Sequence, residues 1–164
     1  MVTEMPLRIA CAVVGVCLSA SALQSQTFQA AAADSQTIRD LIALHADASQ
    51  HGDFDRLIKG YQADADVRYS DGSVFRGLAQ IKPRIREILS NGPTSMAHAH
   101  PPATIHIRFL RPDVAFADVE SVFGGGNDAA GAPMPPTRVP FFLVFTKVDG
   151  RWGVAVERSG VRLK

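Results

Sequence analysis

Ile38, Leu41, Ile42 and Ala48 recur three and four apart with His45 on the same stripe, the spacing of one helical face. This predicts a first helix capped by Asp34 or Ser35 and ended by Gly52 near His51. Asp53 is placed to cap a second, short helix carrying Phe54, Leu57, Ile58 and Tyr61. Two extended runs follow, Asp66 to Ser70 and Ser73 to Phe75, around Asp71-Gly72, a hairpin signal. A third helix from Gly77 places Leu78, Ile81, Ile85, Ile88 and Leu89 on one side, with Pro83 inside it. It closes at Asn91-Gly92-Pro93.

The second half is patterned for strands. Thr104 to Leu110 alternates, with Ile105, Ile107 and Phe109 on one face and Thr104, His106 and Arg108 on the other. A turn at Arg111-Pro112-Asp113 leads to a strand over Val114 to Phe123. A Gly/Pro-rich loop, Gly124 to Thr137, precedes a last hairpin of Val139 to Val148 and Arg151 to Ser159 around Asp149-Gly150. This order predicts an α+β fold: a curved antiparallel sheet with the three helices of the N-terminal half on its concave face. The nearly continuous apolarity of Val139 to Phe145 predicts cover on both sides of that strand, as a dimer would give.

The N-terminus reads as a leader. Ile9 to Leu18 is an apolar run too short to span a bilayer, and Ala20-Ser21-Ala22 offers a small-residue cleavage site. We therefore expect residues 1–22 to be a signal peptide, 23–34 a mobile lead-in, and 35–164 the folded domain of a secreted or periplasmic protein. Both cysteines, Cys11 and Cys17, fall in the leader, so the mature chain has no disulfide, thiolate nucleophile or Cys-based metal site. With 17 Lys+Arg against 16 Asp+Glu, the chain lacks the basic footprint of a nucleic-acid binder. No membrane partner is expected after cleavage, and no nucleotide, flavin or nicotinamide fingerprint points to a cofactor.

His51-Gly52-Asp53-Phe54-Asp55, then Tyr61, Asp64-Ala65-Asp66 and Asp71-Gly72, resemble the nuclear transport factor 2-like superfamily. The likeness is greatest to its SnoaL-like and SgcJ/EcaC-type branch. Leu110-Arg111-Pro112-Asp113-Val114-Ala115 and Val148-Asp149-Gly150-Arg151-Trp152 fit the same branch. The resemblance covers Ser35 to Val161. It implies a cone of bent sheet around a mostly apolar cavity, often dimeric across the open sheet face, in a group of isomerases, cyclases, dehydratases and non-catalytic binders. Where the isomerase branch carries a helix tyrosine this chain has His45, and its carboxylate base falls near Tyr69. Both departures speak against steroid-type isomerisation.

The expected function is binding of a small apolar or amphipathic molecule; the alternative is an isomerase, cyclase or dehydratase with His45 as general base. His45 and Tyr69 are the candidate catalytic residues, and Tyr61 and Trp152 join them as candidate ligand contacts. His98 and His100, with His106, invite a metal reading, but their Pro-flanked setting has no adjacent acid, and no metal is expected. Asp64, Asp66 and Asp71 lack calcium-loop spacing because Arg68 occupies a ligand position. Asp118 and Glu120 lie two apart and share one face, whereas Glu157 and Arg158 adjoin and must point to opposite faces. The carboxylates are read as facing outward, as sheet charges or dimer contacts, and one turned inward becomes a candidate acid or base.

Overall fold

A computed structural model describes residues 14–91, 102–123, 127, 130–133 and 135–160. Its elements run α1 (Val14–His51), α2 (Phe54–Ile58), β1 (Tyr61–Arg68), β2 (Val74–Arg76), α3 (Gly77–Asn91), β3 (Thr104–Arg111), β4 (Val114–Phe123), β5 (Thr137–Val148) and β6 (Arg151–Ser159). The chain divides into two compact units, residues 1–34 and 35–164. No described helix is long and apolar enough to cross a membrane.

The expected boundary at Asp34 is not a helix start. α1 is continuous from Val14, because no Gly or Pro interrupts Val16 to His51 and Ala30 to Ala33 favour helix. The expected lead-in 23–34 is thus helical, and residues 1–13 of the expected leader lie outside the described residues. α2 is capped as expected, with Asp53 Oδ1 accepting from the Arg56 N–H at 3.0 Å. Tyr61, however, belongs to β1 and not to this helix, which ends at Ile58.

The second unit is built on a six-stranded curved sheet in the order β2-β1-β6-β5-β4-β3. Its pairs are antiparallel except β1–β6, which is parallel. The expected all-antiparallel sheet fails at this one junction. β1 and β6 lie far apart in sequence, so no hairpin joins them and the connection through the intervening elements allows either direction. At the β5–β6 turn Asp149 and Gly150 both adopt positive φ (49° and 76°), the hairpin geometry read from the sequence. The β1–β2 turn is wider than expected: Tyr69 N–H donates to Ser73 O, and Asp71 Oδ1 accepts from Ser73 N–H at 2.8 Å. Of Asp71 and Gly72, only Gly72 has positive φ.

The core joins Ile38, Ile42 and Ala48 of α1 to Ile81 and Ile85 of α3 and to the inner face of the sheet. Register defines that face. Phe145, Leu143 and Phe141 of β5 stand opposite Ala115, Ala117 and Val119 of β4. On β6 they pair with Val154, Glu157 and Ser159, so the spacing changes from two residues to three between Val154 and Glu157. Ala155 is the extra residue of a β-bulge. Beyond it, residues of odd number face inward, where before it Trp152 and Val154 did.

Candidate functional site

A cavity of about 460 Å³ lies between the inner face of the sheet and the helices of the second unit. Most of its wall is apolar, including Ile42 of α1, Ile85 and Leu89 of α3, and Val119, Phe141 and Leu143 of the sheet. The polar groups on the wall are few: His45, Tyr61, Tyr69, Glu157 and a scatter of hydroxyls that includes Ser49, Ser121 and Ser159.

Three of these side chains form one cluster. The Tyr61 hydroxyl donates to Glu157 Oε2 at 2.6 Å, and both residues are buried. His45 reaches the same phenol from α1: its Nε2 lies 3.5 Å from Tyr61 Oη, and the two rings meet edge to face at 5.4 Å. Three separate pieces of the chain supply them. The helical stripe aims His45 inward, the first residue of β1 presents Tyr61, and the bulge at Ala155 brings Glu157 to the inner face.

Tyr69 also lines the cavity, packing edge to face on Phe75 at 5.9 Å with the Arg84 guanidinium 5.5 Å from its ring centre. Trp152 does not line it. Its ring sits in the core against Phe109 at 5.9 Å, on the inner face but at the opposite end of β6 from Glu157 and Ser159. The outward expectation for Glu157 is corrected: it is 4% exposed and faces inward, because strict alternation from Trp152 breaks at the bulge. Asp118 is exposed, Glu120 pairs with Arg138, and Arg158 Nη2 pairs with Asp66 Oδ1 at 2.7 Å. Ser49, Ser121 and Ser159 come from α1, β4 and β6; of the three, only Ser121 is signalled by unbroken alternation, with Ala115, Ala117 and Val119 on the same face of β4. His98 and His100 lie outside the described residues, and His106 is exposed on β3. Among the described residues no group of three His, Cys, Asp or Glu could hold a metal ion.

The profile of the SnoaL-like domain matches residues 30–157, from within α1 to the inward-facing glutamate. The chain belongs to the SnoaL-like domain family. Solved structures agree on its nuclear transport factor 2-like, cystatin-like fold. An uncharacterized protein with a cystatin-like fold from Caulobacter vibrioides is 20% identical, with a TM-score of 0.65 over 79% of this chain and 89% of its own. An NTF2-like protein of unknown function from Pseudomonas putida KT2440 is 18% identical, with a TM-score of 0.67 over 82% and 89%. Hexachlorocyclohexane dehydrochlorinase LinA-type3 from Novosphingobium barchaimii LL02 is 14% identical, with a TM-score of 0.64 over 80% and 88%. At these identities the likeness is one of fold. Compared by sequence with curated proteins, the chain matches none.

The electrostatics of the SnoaL-like cavity follow from burial. Desolvation holds the His45 imidazole below its ordinary range, and the Glu157 charge offsets this only in part. The Tyr61 phenol is pushed well above its usual value by burial first, then by the Glu157 and Tyr69 charges and the hydrogen bond to Glu157. Burial and Glu157 raise Tyr69 as well, against the opposing pull of Arg84. At neutral pH the cavity therefore holds a neutral imidazole and two neutral phenols around one carboxyl group. Such a set can accept and donate hydrogen bonds to a ligand, and its imidazole is free to take up a proton.

Proposed function

We propose that this SnoaL-like domain is an exported protein that binds a small apolar or amphipathic molecule in the cavity. His45, Tyr61 and Glu157 meet the molecule's polar group. The observation that carries this reading is a hydrogen-bonded His–Tyr–Glu cluster on the wall of an otherwise apolar, 460 Å³ hollow. A void of that size exceeds ordinary packing defects, and a few convergent polar groups on greasy walls are the usual make-up of a ligand pocket. Export is supported by the apolar run Ile9 to Leu18 followed by Ala20-Ser21-Ala22. Homodimerisation through the outer sheet face belongs to the same proposal, supported by Phe142, 40% exposed, beside Phe116 at 5.6 Å.

A second reading, a cofactor-independent isomerase, cyclase or dehydratase, is favoured by one feature. His45 is held neutral by burial against the cavity, the state in which an imidazole takes a proton from a bound carbon acid. A solved structure of similar fold is a dehydrochlorinase.

The test is a fluorescence titration with the neutral probe N-phenyl-1-naphthylamine. His45→Ala is expected to weaken its binding several-fold while the protein keeps its circular dichroism spectrum. Loss of fold in this variant would assign His45 to the core. The enzyme reading predicts in addition that wild type turns over a member of a panel of enolisable ketones and that His45→Ala does not.

A further inference from the structure

The polar end of the cavity is unbalanced in charge. Among the described residues on its wall Glu157 is the one acidic side chain, and no Lys or Arg is present. The cations nearby are engaged elsewhere. Arg84 pairs with Asp71 and Glu87, and Arg158 pairs with Asp66 while donating to the Asp66 and Glu157 carbonyl oxygens.

Its hydrogen-bond inventory leans the same way. The Tyr61 O–H is spent on Glu157 Oε2, so the phenol has only oxygen lone pairs left to offer. A carboxylate provides about four acceptor sites, and Tyr61 occupies one. With the Tyr61 hydrogen given to Glu157, His45 bonds the same phenol oxygen by donating its Nε2–H, which leaves the neutral imidazole its acceptor Nδ1. Ser159 points its hydroxyl hydrogen toward Arg68 O at 3.4 Å. The hydroxyls of Tyr69, Ser49 and Ser121 each add one O–H but two lone pairs, so acceptors outnumber donors on the cavity's polar wall. A carboxylate or phosphate placed there would face Glu157 at close range in a poorly solvated hollow, where like charges repel far more than in water. A hydroxyl or ammonium group would fill the vacant acceptor sites.

We propose that the ligand is a neutral or cationic hydrogen-bond donor, an alcohol or amine carried on an apolar body, and that carboxylates, phosphates and sulfates are rejected. Glu157 is the residue that sets this choice. The inference rests on the reading that the cavity binds a small molecule, and it names the chemical class of that molecule.

Isothermal titration calorimetry of the full-length protein at pH 7.5 with n-octylamine, n-octanol and n-octanoate separates the possibilities, since the three share one apolar body. Octylamine and octanol are expected to bind at least about tenfold more tightly than octanoate. Glu157→Gln is expected to narrow that gap from both sides, weakening the amine and strengthening the acid. Octanoate binding as tightly as octylamine overturns the inference and leaves the binding reading intact, as does a gap that Glu157→Gln leaves unchanged. If none of the three binds, the binding reading itself fails and the inference falls with it. The wild-type comparison decides the matter even where the variant does not fold.

Discussion

Deletion of Ala155 is expected to abolish folding of the domain, at a cost of at least about 4 kcal/mol, a large part of the stability of an ordinary domain. The reason is register. Side chains alternate along a strand, so removing one residue sends everything beyond it to the other face. Glu157 and Ser159 would leave the cavity, and Val156 and Arg158 would enter it. Arg158 would lose the Asp66 partners it holds at 2.7 and 2.8 Å and carry an unpaired guanidinium into an apolar hollow. Tyr61 would lose the buried acceptor of its hydroxyl at the same time. Ala155→Gly keeps the residue count and hence the bulge, and should lie within about 1 kcal/mol of wild type. Urea unfolding of the two variants side by side measures the difference. A deletion variant that melts like wild type would show that the bulge does not set the inner face.

Tyr61→Phe is expected to cost about 1–3 kcal/mol, because it strands a buried Glu157 oxygen without its donor. The size of the phenyl ring hardly changes, so packing is not the cause. The double variant Tyr61→Phe/Glu157→Leu should recover most of the loss, since an apolar pair of similar volume needs no hydrogen bond. It should also lose affinity for octylamine, because its polar end has lost both partners. A protein that gains stability and loses binding in one step holds the cluster for the ligand and not for the fold. Equal stability of Tyr61→Phe and wild type would remove the hydrogen bond from this account.

How far the sequence foretold this depended on which periodicities ran unbroken. The stripe Ile38, Ile42, Ala48 and the alternation of Ile105, Ile107 and Phe109 gave the helices and strands, because each element buries one face. The start of α1 was hidden because a capping residue is a local signal, whereas a run free of Gly and Pro let the helix continue past Asp34. Tyr61 fitted the spacing of α2, yet the chain leaves the helix at Lys59 and Gly60 and enters β1. The inward facing of Glu157 is hidden in the sequence. A bulge carries no mark in a stretch such as Gly153-Val154-Ala155-Val156, where every residue is small or β-branched, and only pairing to β5 reveals the extra residue. Trp152 shares the inner face with Glu157 but fills the far end of the strand, a distinction that composition cannot supply. The parallel β1–β6 junction likewise depends on contacts between distant segments.

The central claim is that the hollow beneath Ser121 and Leu143 takes up a small molecule, and blocking it is the most direct trial. Ser121 is buried on the cavity wall, and a tryptophan there can extend into empty space without displacing core side chains. Titration of wild type with N-phenyl-1-naphthylamine should show saturable binding of one probe per chain, and Ser121→Trp should abolish it while retaining a cooperative melt. Undiminished probe binding by a folded Ser121→Trp protein, or none by wild type, would contradict the account.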